Sequence, residues 1–74
     1  MKLTINGKEA EAPDAVSVSA LLAHQKVKMP DLVTVEVNGE ILDRSAFDTT
    51  SLRENDRVEF LYFMGGGANG EAKV

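Results

Sequence analysis

The residues of this chain whose type and spacing suggest chemistry lie near its end, in the sequence FLYFMGGGANGEAKV. Gly65, Gly67 and Gly70 match the G-x-G-x-x-G pattern of dinucleotide-binding loops, and an apolar strand pattern precedes them. Such a loop also needs a helix that begins at the glycines and an acidic residue about 20 positions later. Only the four residues 71–74 follow. We therefore expect the match to be accidental.

The remaining polar residues do not form a catalytic or metal-binding pattern. The chain has no cysteine and one histidine, His24, which excludes thiolate chemistry and a two-histidine metal site. Asp43, Asp48 and Asp56 lack the spacing of a calcium-binding loop, and we expect them to form turns and caps. The sequence thus predicts a protein that is not an enzyme and that uses no metal or cofactor of its own.

Length and charge limit the partners that this protein could bind. The 74 residues carry a formal net charge of −4, which argues against nucleic acid and suits docking on a more basic protein. No apolar run approaches the roughly 20 residues of a membrane span, and the first residues lack the apolar stretch of a signal peptide. We expect a cytoplasmic protein that does not enter a membrane.

The elements that would position the glycines follow from the apolar periodicity. KLTI and KEAEA read as strands joined by Asn6-Gly7, and LVTVEV and EIL read as strands joined by Asn38-Gly39. Ser17 has the position of an N-cap before a helical pattern, and RVEFLYF forms the last and most apolar strand. The order predicts an α+β fold, in which one main helix covers a mixed sheet of four to five strands.

The last strand carries more apolar surface than one face of a sheet can bury. Val58, Phe60 and Tyr62 alternate with Leu61 and Phe63, so the second set would lie on the outer face if the first contacts the helix. An exposed apolar patch beside a terminal tail is typical of a docking surface. The alternative is that a loop covers these side chains, and it applies most to Phe63.

A domain boundary is expected where this strand ends. Residues 1–64 would form the folded domain, and residues 65–74 a flexible, glycine-rich tail with no apolar periodicity and no partner strand.

The motifs in this order resemble those of the ThiS sulfur carriers, ubiquitin-like β-grasp proteins related to MoaD. They are the early NG turn, SVSALL at the helix start, VEVNGEIL, the pair Arg44-Ser45, LRENDRVEF and a strand that ends in three glycines. The resemblance covers residues 1–67. It implies the β-grasp fold.

The resemblance also implies an activity and its partners. The carboxylate of Gly67 would be activated as an acyl-adenylate by a ThiF/MoeB-like enzyme that binds ATP, and would then become a thiocarboxylate. Gly65 and Gly66 would thread the tail into that enzyme, and Leu61 and Phe63, with Met64, would help to dock it. The sulfur acceptor would be thiazole synthase, in thiamin synthesis, or an equivalent protein.

The chain departs from the family pattern after the glycines. It continues with ANGEAKV, so Gly67 lies in a peptide bond and has no free carboxylate. Removal of residues 68–74 by a processing protease would restore one. The alternatives that remain open are a ubiquitin-like interaction module whose tail is never activated, and a carrier that supplies sulfur for molybdopterin or methionine.

Overall fold

The computed structural model describes residues 1–63 and 71–73. The elements follow one another as strand, strand, helix, strand, strand, 3-10 turn, strand and strand. Their bounds are β1 Lys2–Ile5, β2 Lys8–Glu11, α1 Val18–His24, β3 Thr34–Val37, β4 Glu40–Leu42, the 3-10 turn Arg44–Ala46, β5 Arg57–Phe63 and β6 Glu71–Lys73.

The first five strands form a mixed sheet in the order β2-β1-β5-β3-β4. The pairing of β1 with β5 is parallel, and the other pairings within this order are antiparallel. The helix α1 lies between β2 and β3 in the chain. This is the predicted α+β fold, with a mixed sheet and one main helix. The strand β6 pairs with β5 outside this order and was not predicted.

Both hairpins turn on the Asn-Gly pairs that the sequence indicated. Asn6 and Gly7 have φ values of 50° and 83°, and Asn38 and Gly39 have φ values of 53° and 87°. Two successive residues with positive φ match the right-handed twist of the strands that they join, and asparagine and glycine adopt this conformation at the lowest cost.

The helix α1 is short and begins at the predicted cap. The Ser17 side chain accepts a hydrogen bond of 3.1 Å from the Ala20 N–H, which satisfies one of the free donors of the first turn. Val18, Leu21 and Leu22 are buried on the face that α1 turns to the sheet. Seven residues are too few for an isolated helix in water, so this burial stabilises α1.

One apolar cluster lies between α1 and the inner face of the sheet. Val58 and Phe60 of β5 are buried in it, and Tyr62 packs against it while half-buried. The predicted inner face of the last strand is therefore confirmed. The other members are Leu3, Ile5, Ala12, Val16, Val18, Leu21, Leu22, Val33, Val35, Phe47 and Leu52.

The first prediction concerns the turn at Gly39. A Cβ added to Gly39 meets no atom within 4 Å, so Gly39→Ala introduces only the backbone strain of φ +87°. We expect it to lower the free energy of unfolding by about 1–2 kcal/mol. Gly39→Asn is the matched control, because asparagine tolerates positive φ, and it should cost clearly less. Urea denaturation measures both, and equal losses would contradict the assignment of the cost to backbone strain.

Candidate functional site

The site begins with the strand that carries the glycines. β5 lies in the middle of the sheet, with β1 on one side and β3 on the other, and its last residue is Phe63. Met64 and the glycines Gly65, Gly66 and Gly67 follow in the sequence and lie outside the described residues. The glycines are thus attached, with one residue between, to the strand that the sheet holds most firmly.

Two side-chain hydrogen bonds hold the end of β5. The side-chain oxygen Oδ1 of Asn6 accepts a bond of 2.8 Å from the Phe60 N–H. The Tyr62 hydroxyl oxygen accepts a bond of 3.1 Å from the Met29 N–H, which ties β5 to the loop after α1. Sequence reasoning did not identify either contact. Asn6 was recognised only as a turn residue, and nothing in the sequence indicates that its side chain reaches a residue 54 positions away.

Arg44 fixes the loop between α1 and β3. Its guanidinium donates hydrogen bonds to the carbonyl oxygens of Pro30, at 2.6 Å, and Val33, at 2.8 Å. The same guanidinium lies 5.2 Å from the centre of the Phe47 ring, within the range of a cation–π contact. Arg44 therefore has a structural role in joining the 3-10 turn to the start of β3, a role that its position in the sequence does not reveal.

Leu61 lies on the predicted face of the sheet, but it is not exposed. Its neighbours Phe60 and Tyr62 contact the core, and Leu61 is not a member of the core cluster, so it points to the outer face. Its side chain is only 2% exposed. The expectation of an exposed Leu61 is therefore wrong. Of the other two predicted docking residues, the Phe63 side chain and all of Met64 lie outside the described residues.

The strand β6 corrects a second expectation. The sequence predicted no partner strand after Phe63, yet Glu71–Lys73 pairs antiparallel with the end of β5. The register places Lys73 opposite Leu61 and Ala72 opposite Tyr62. The prediction is wrong for these three residues because it rested on apolar periodicity, whereas a paired strand needs only backbone donors and acceptors. The predicted flexibility of residues 65–70 and 74 falls outside the described residues.

The outer face beside Leu61 carries acidic residues. Glu36 of β3 lies opposite Glu59 of β5, two residues along the strands from the pair formed by Thr34 and Leu61. Both glutamates are half-buried. This arrangement places two carboxylates next to an apolar side chain near the origin of the tail, which suits a partner with a basic rim around an apolar contact.

The three aspartates lie at turns or caps, as predicted, and two of them make side-chain hydrogen bonds there. Asp48 accepts a hydrogen bond from the Ser19 hydroxyl. Asp56 accepts hydrogen bonds from the Asn38 side chain, at 3.0 Å, and from the Arg53 N–H, at 2.9 Å. Asp43 precedes the 3-10 turn but makes no side-chain cap hydrogen bond.

Neither a metal centre nor a membrane helix is found in the part of the chain that the structure describes. Within residues 1–63 and 71–73, no three side chains of the metal-ligating types come together. No helix among these residues has the length and apolarity that crossing a bilayer requires. What the described site offers is a strand end that is paired on both sides, with two carboxylates on its outer face and the buried Leu61 near them.

A family model and solved structures of similar proteins match this chain. The model of the ThiS family matches residues 3–67. The crystal structure of a thiamine biosynthesis protein (ThiS) from Geobacter metallireducens is 51% identical, with a TM-score of 0.85, over 90% of this chain and 100% of that one. An NMR structure of a thiamine biosynthesis protein from the same organism is 52% identical, with a TM-score of 0.71, over 90% of this chain and 88% of that one.

Two curated relatives are much longer proteins. The thiazole synthase of Paramagnetospirillum magneticum is 36% identical over 69 residues, which is 93% of this chain and 21% of that protein. The thiazole synthase of Magnetococcus marinus is 31% identical over 67 residues, which is 90% of this chain and 20% of that protein. This chain therefore spans about a fifth of the length of these relatives.

The family match and the fold agree with each other. The matched segment contains β1 from Leu3 onward, the strands β2 to β5 and the helix α1, and it ends at Gly67, the third of the three consecutive glycines. The topology is the β-grasp fold that the motifs implied, and it superimposes on the Geobacter metallireducens structure over that whole chain. This chain belongs to the ThiS family.

Proposed function

We propose that this protein is a sulfur carrier of thiamin synthesis that works through the carboxylate of Gly67. The observation that supports this most strongly is the place where the family match ends. The match stops at Gly67, although seven more residues follow in the chain. Only Met64 lies between the strand β5 and these glycines. In this proposal, partner enzymes bind the folded domain, and the short tail reacts.

The chemistry is an activation followed by a substitution at the carbonyl carbon of Gly67. The free carboxylate attacks the α-phosphate of ATP, pyrophosphate leaves, and an acyl-adenylate forms. Hydrosulfide from the sulfur source then attacks the carbonyl carbon and displaces AMP, and the terminus becomes a thiocarboxylate. The partner enzyme supplies the catalytic groups for both steps. The carrier therefore needs no nucleophile of its own, which accords with the absence of cysteine from its sequence.

Glycine suits each tail position for a physical reason. Without a Cβ, Gly67 leaves its carbonyl open to attack, and Gly65 and Gly66 can adopt backbone conformations that other residues avoid in a narrow channel. Ordering the tail costs about 1–2 kcal/mol per residue, which keeps the complex reversible. A carrier that visits an activating enzyme and then an acceptor needs this reversibility.

The proposed partners are a ThiF/MoeB-like adenylating enzyme and thiazole synthase. Leu61 and Phe63 would contribute apolar contacts to the adenylating enzyme, together with Met64, and Glu36 and Glu59 would favour a basic rim on it. Thiazole synthase is the favoured acceptor because two proteins of that name contain a segment similar to nearly all of this chain. No observation favours molybdopterin or methionine synthesis.

Residues 68–74 must be removed before activation. They lie beyond the family match, and they place Gly67 in a peptide bond, which leaves no carboxylate to attack ATP. A processing protease that cleaves after Gly67 would produce the working carrier.

The second prediction tests this requirement. We compare the 74-residue chain with a chain that ends at Gly67, each incubated with the adenylating enzyme, ATP and a sulfur source. Only the chain that ends at Gly67 should support ATP–pyrophosphate exchange and gain the mass of a thiocarboxylate. The reason is that only this chain presents the glycine carboxylate at the end of the tail.

A chain that ends at Ala68 is the matched control for this experiment. It has a free carboxylate, but that carboxylate lies one residue beyond the position of the Gly67 carboxylate. The Cα beside it also carries a methyl group. It should be adenylated much more slowly. Equal adenylation of the intact chain without cleavage would contradict the processing step, and no adenylation of the chain that ends at Gly67 would contradict the carrier function.

The third prediction concerns the docking role of Leu61. In the chain that ends at Gly67, Leu61→Asp should weaken binding of the adenylating enzyme about 30-fold, the equivalent of the 2 kcal/mol typical of an interface hot spot. Ile41→Asp is the control, because Ile41 lies opposite Glu36 on the same outer face, is 65% exposed and is on the edge strand β4. Titration calorimetry measures both.

The domain should remain folded in both variants, since Ile41 is exposed and Leu61 lies outside the core cluster, on the face that loses its neighbour β6 in the chain that ends at Gly67. A circular dichroism spectrum and a cooperative unfolding transition check this. Unchanged binding by Leu61→Asp, or an equal loss from Ile41→Asp, would contradict a specific docking role for Leu61.

A further inference from the structure

The strand β1 stops before the end of β5, whereas β3 pairs with β5 as far as Leu61. The described pairing of β1 with β5 ends at Ile5 opposite Val58. Asn6 still reaches β5: its N–H donates to the Val58 carbonyl oxygen at 2.9 Å, and its side chain accepts from the Phe60 N–H. The chain then turns away through the Asn6-Gly7 hairpin. Beyond Phe60, this edge of β5 has no partner in β1.

The direction of the backbone groups shows which residue of β5 has its N–H and C=O at the edge that β1 leaves unpaired. Val58 and Phe60 bond to Asn6, so the even-numbered residues of β5 direct their N–H and C=O groups toward β1. The Arg57 carbonyl oxygen accepts from the Asn38 N–H on the opposite side, at 2.7 Å. By this alternation, the N–H and C=O of Tyr62 point past the end of β1. A free donor and acceptor at a sheet edge are a template for another strand.

The strand β6 lies along this edge. β3 pairs with Leu61 from the other side, through Thr34, so β6 must be on the side of β1. Ala72 lies opposite Tyr62, and the alternation makes this the pair that exchanges both hydrogen bonds. Glu71–Lys73 thus continues the sheet where β1 has ended.

Leu61 is more buried than the other described residues on its face of the sheet. Thr4, Glu36 and Glu59, which share the outer face, are half-buried, and Ile41 is 65% exposed. Leu61 is 2% exposed, and it lies between Thr34 of β3 and Lys73 of β6 in the register. Its burial coincides with the place where β6 extends the sheet beside β5.

We propose that Glu71–Lys73 is a strand cap that the chain supplies to itself. The cap pairs with the open edge of β5 at Tyr62 and keeps Leu61 covered until the residues after Gly67 are removed or displaced. Three residues with one doubly hydrogen-bonded pair form a short strand, so it can leave without unfolding the domain. The segment that occupies this edge of β5 belongs to the same chain. A partner that docks at Leu61 competes with that segment.

The cap adds a consequence to the proposed function, on which this step rests. Residues 68–74 would then block the docking of the adenylating enzyme as well as the chemistry at Gly67. A precursor would neither be activated nor occupy the enzyme unproductively, and cleavage would release both functions at once.

The first experiment detects the pairing without any partner protein. In the full chain, nuclear Overhauser spectroscopy should show a contact between the Hα atoms of Leu61 and Lys73. In an antiparallel pair that is not hydrogen-bonded, the Cα atoms are only about 4.5 Å apart. The Tyr62 amide should exchange with solvent at least about tenfold faster in the chain that ends at Gly67, as expected when a local hydrogen bond is lost.

The second experiment measures the cover over Leu61. Since the chain has no cysteine, Leu61→Cys introduces its only thiol, which a disulfide reagent can label. Removal of residues 68–74 should raise the labelling rate at least about tenfold, because local opening limits the reaction of a covered group. In Ile41→Cys, which is exposed already, the rate should stay the same.

Ala72→Pro provides a point variant of the cap in the full chain. Proline removes the N–H that pairs with Tyr62, so labelling of Leu61→Cys should rise as it does on truncation. Val74→Pro is the matched control: it changes a residue beyond β6 and should leave labelling slow. Binding of the adenylating enzyme should be tighter for the full chain with Ala72→Pro than for the unmodified full chain.

The outcomes separate the cap from the carrier function. Absence of the Hα contact, or equal labelling of Leu61→Cys in long and short chains, overturns the cap even if the short chain is adenylated. Slow labelling in the long chain with fast labelling in the short one supports the cap even if neither chain is adenylated. The lack of adenylation would then contradict the carrier function and not the cap.

Discussion

The pairing of β5 on both of its sides is the constraint on which the rest of the structure depends. The last strand of the domain in sequence is the middle strand in space, held in parallel by β1 and antiparallel by β3. Its inner residues fill the core, so the strand cannot shift register without moving Val58 and Phe60 to the outer face. The point from which the tail leaves is therefore fixed.

This fixed origin gives a small acidic domain its proposed use. A carrier must present a terminal carboxylate to more than one enzyme, and the position of that group is set by the strand that precedes it. The Asn6 side chain and the Tyr62 hydroxyl both hold the end of β5, the first at the β1 edge and the second at the loop after α1. In the sequence, Met64 and then three glycines follow, and glycine can adopt backbone conformations that other residues avoid.

The same arrangement leaves part of one edge of β5 without a partner in β1, and β6 pairs with that part. A central strand that is longer than β1 leaves backbone groups without a partner at its end, and such an edge attracts other strands. The three residues of β6 occupy this edge, where they also lie beside Leu61. Apolar periodicity did not reveal β6, since its pairing depends on the backbone of β5 and on where β1 stops.

The sequence by itself determined the strands β1 to β5 and the start of α1, because these depend on local chemistry: the Asn-Gly turns, the Ser17 cap and the alternation within RVEFLYF. It also pointed to the family through the order of these motifs and the three glycines. Only the tertiary structure decided the burial of Leu61, the contact of Asn6 with Phe60 and the partner of Glu71–Lys73. These features join residues far apart in the chain, and no local preference encodes which strand ends first or which edge it leaves open.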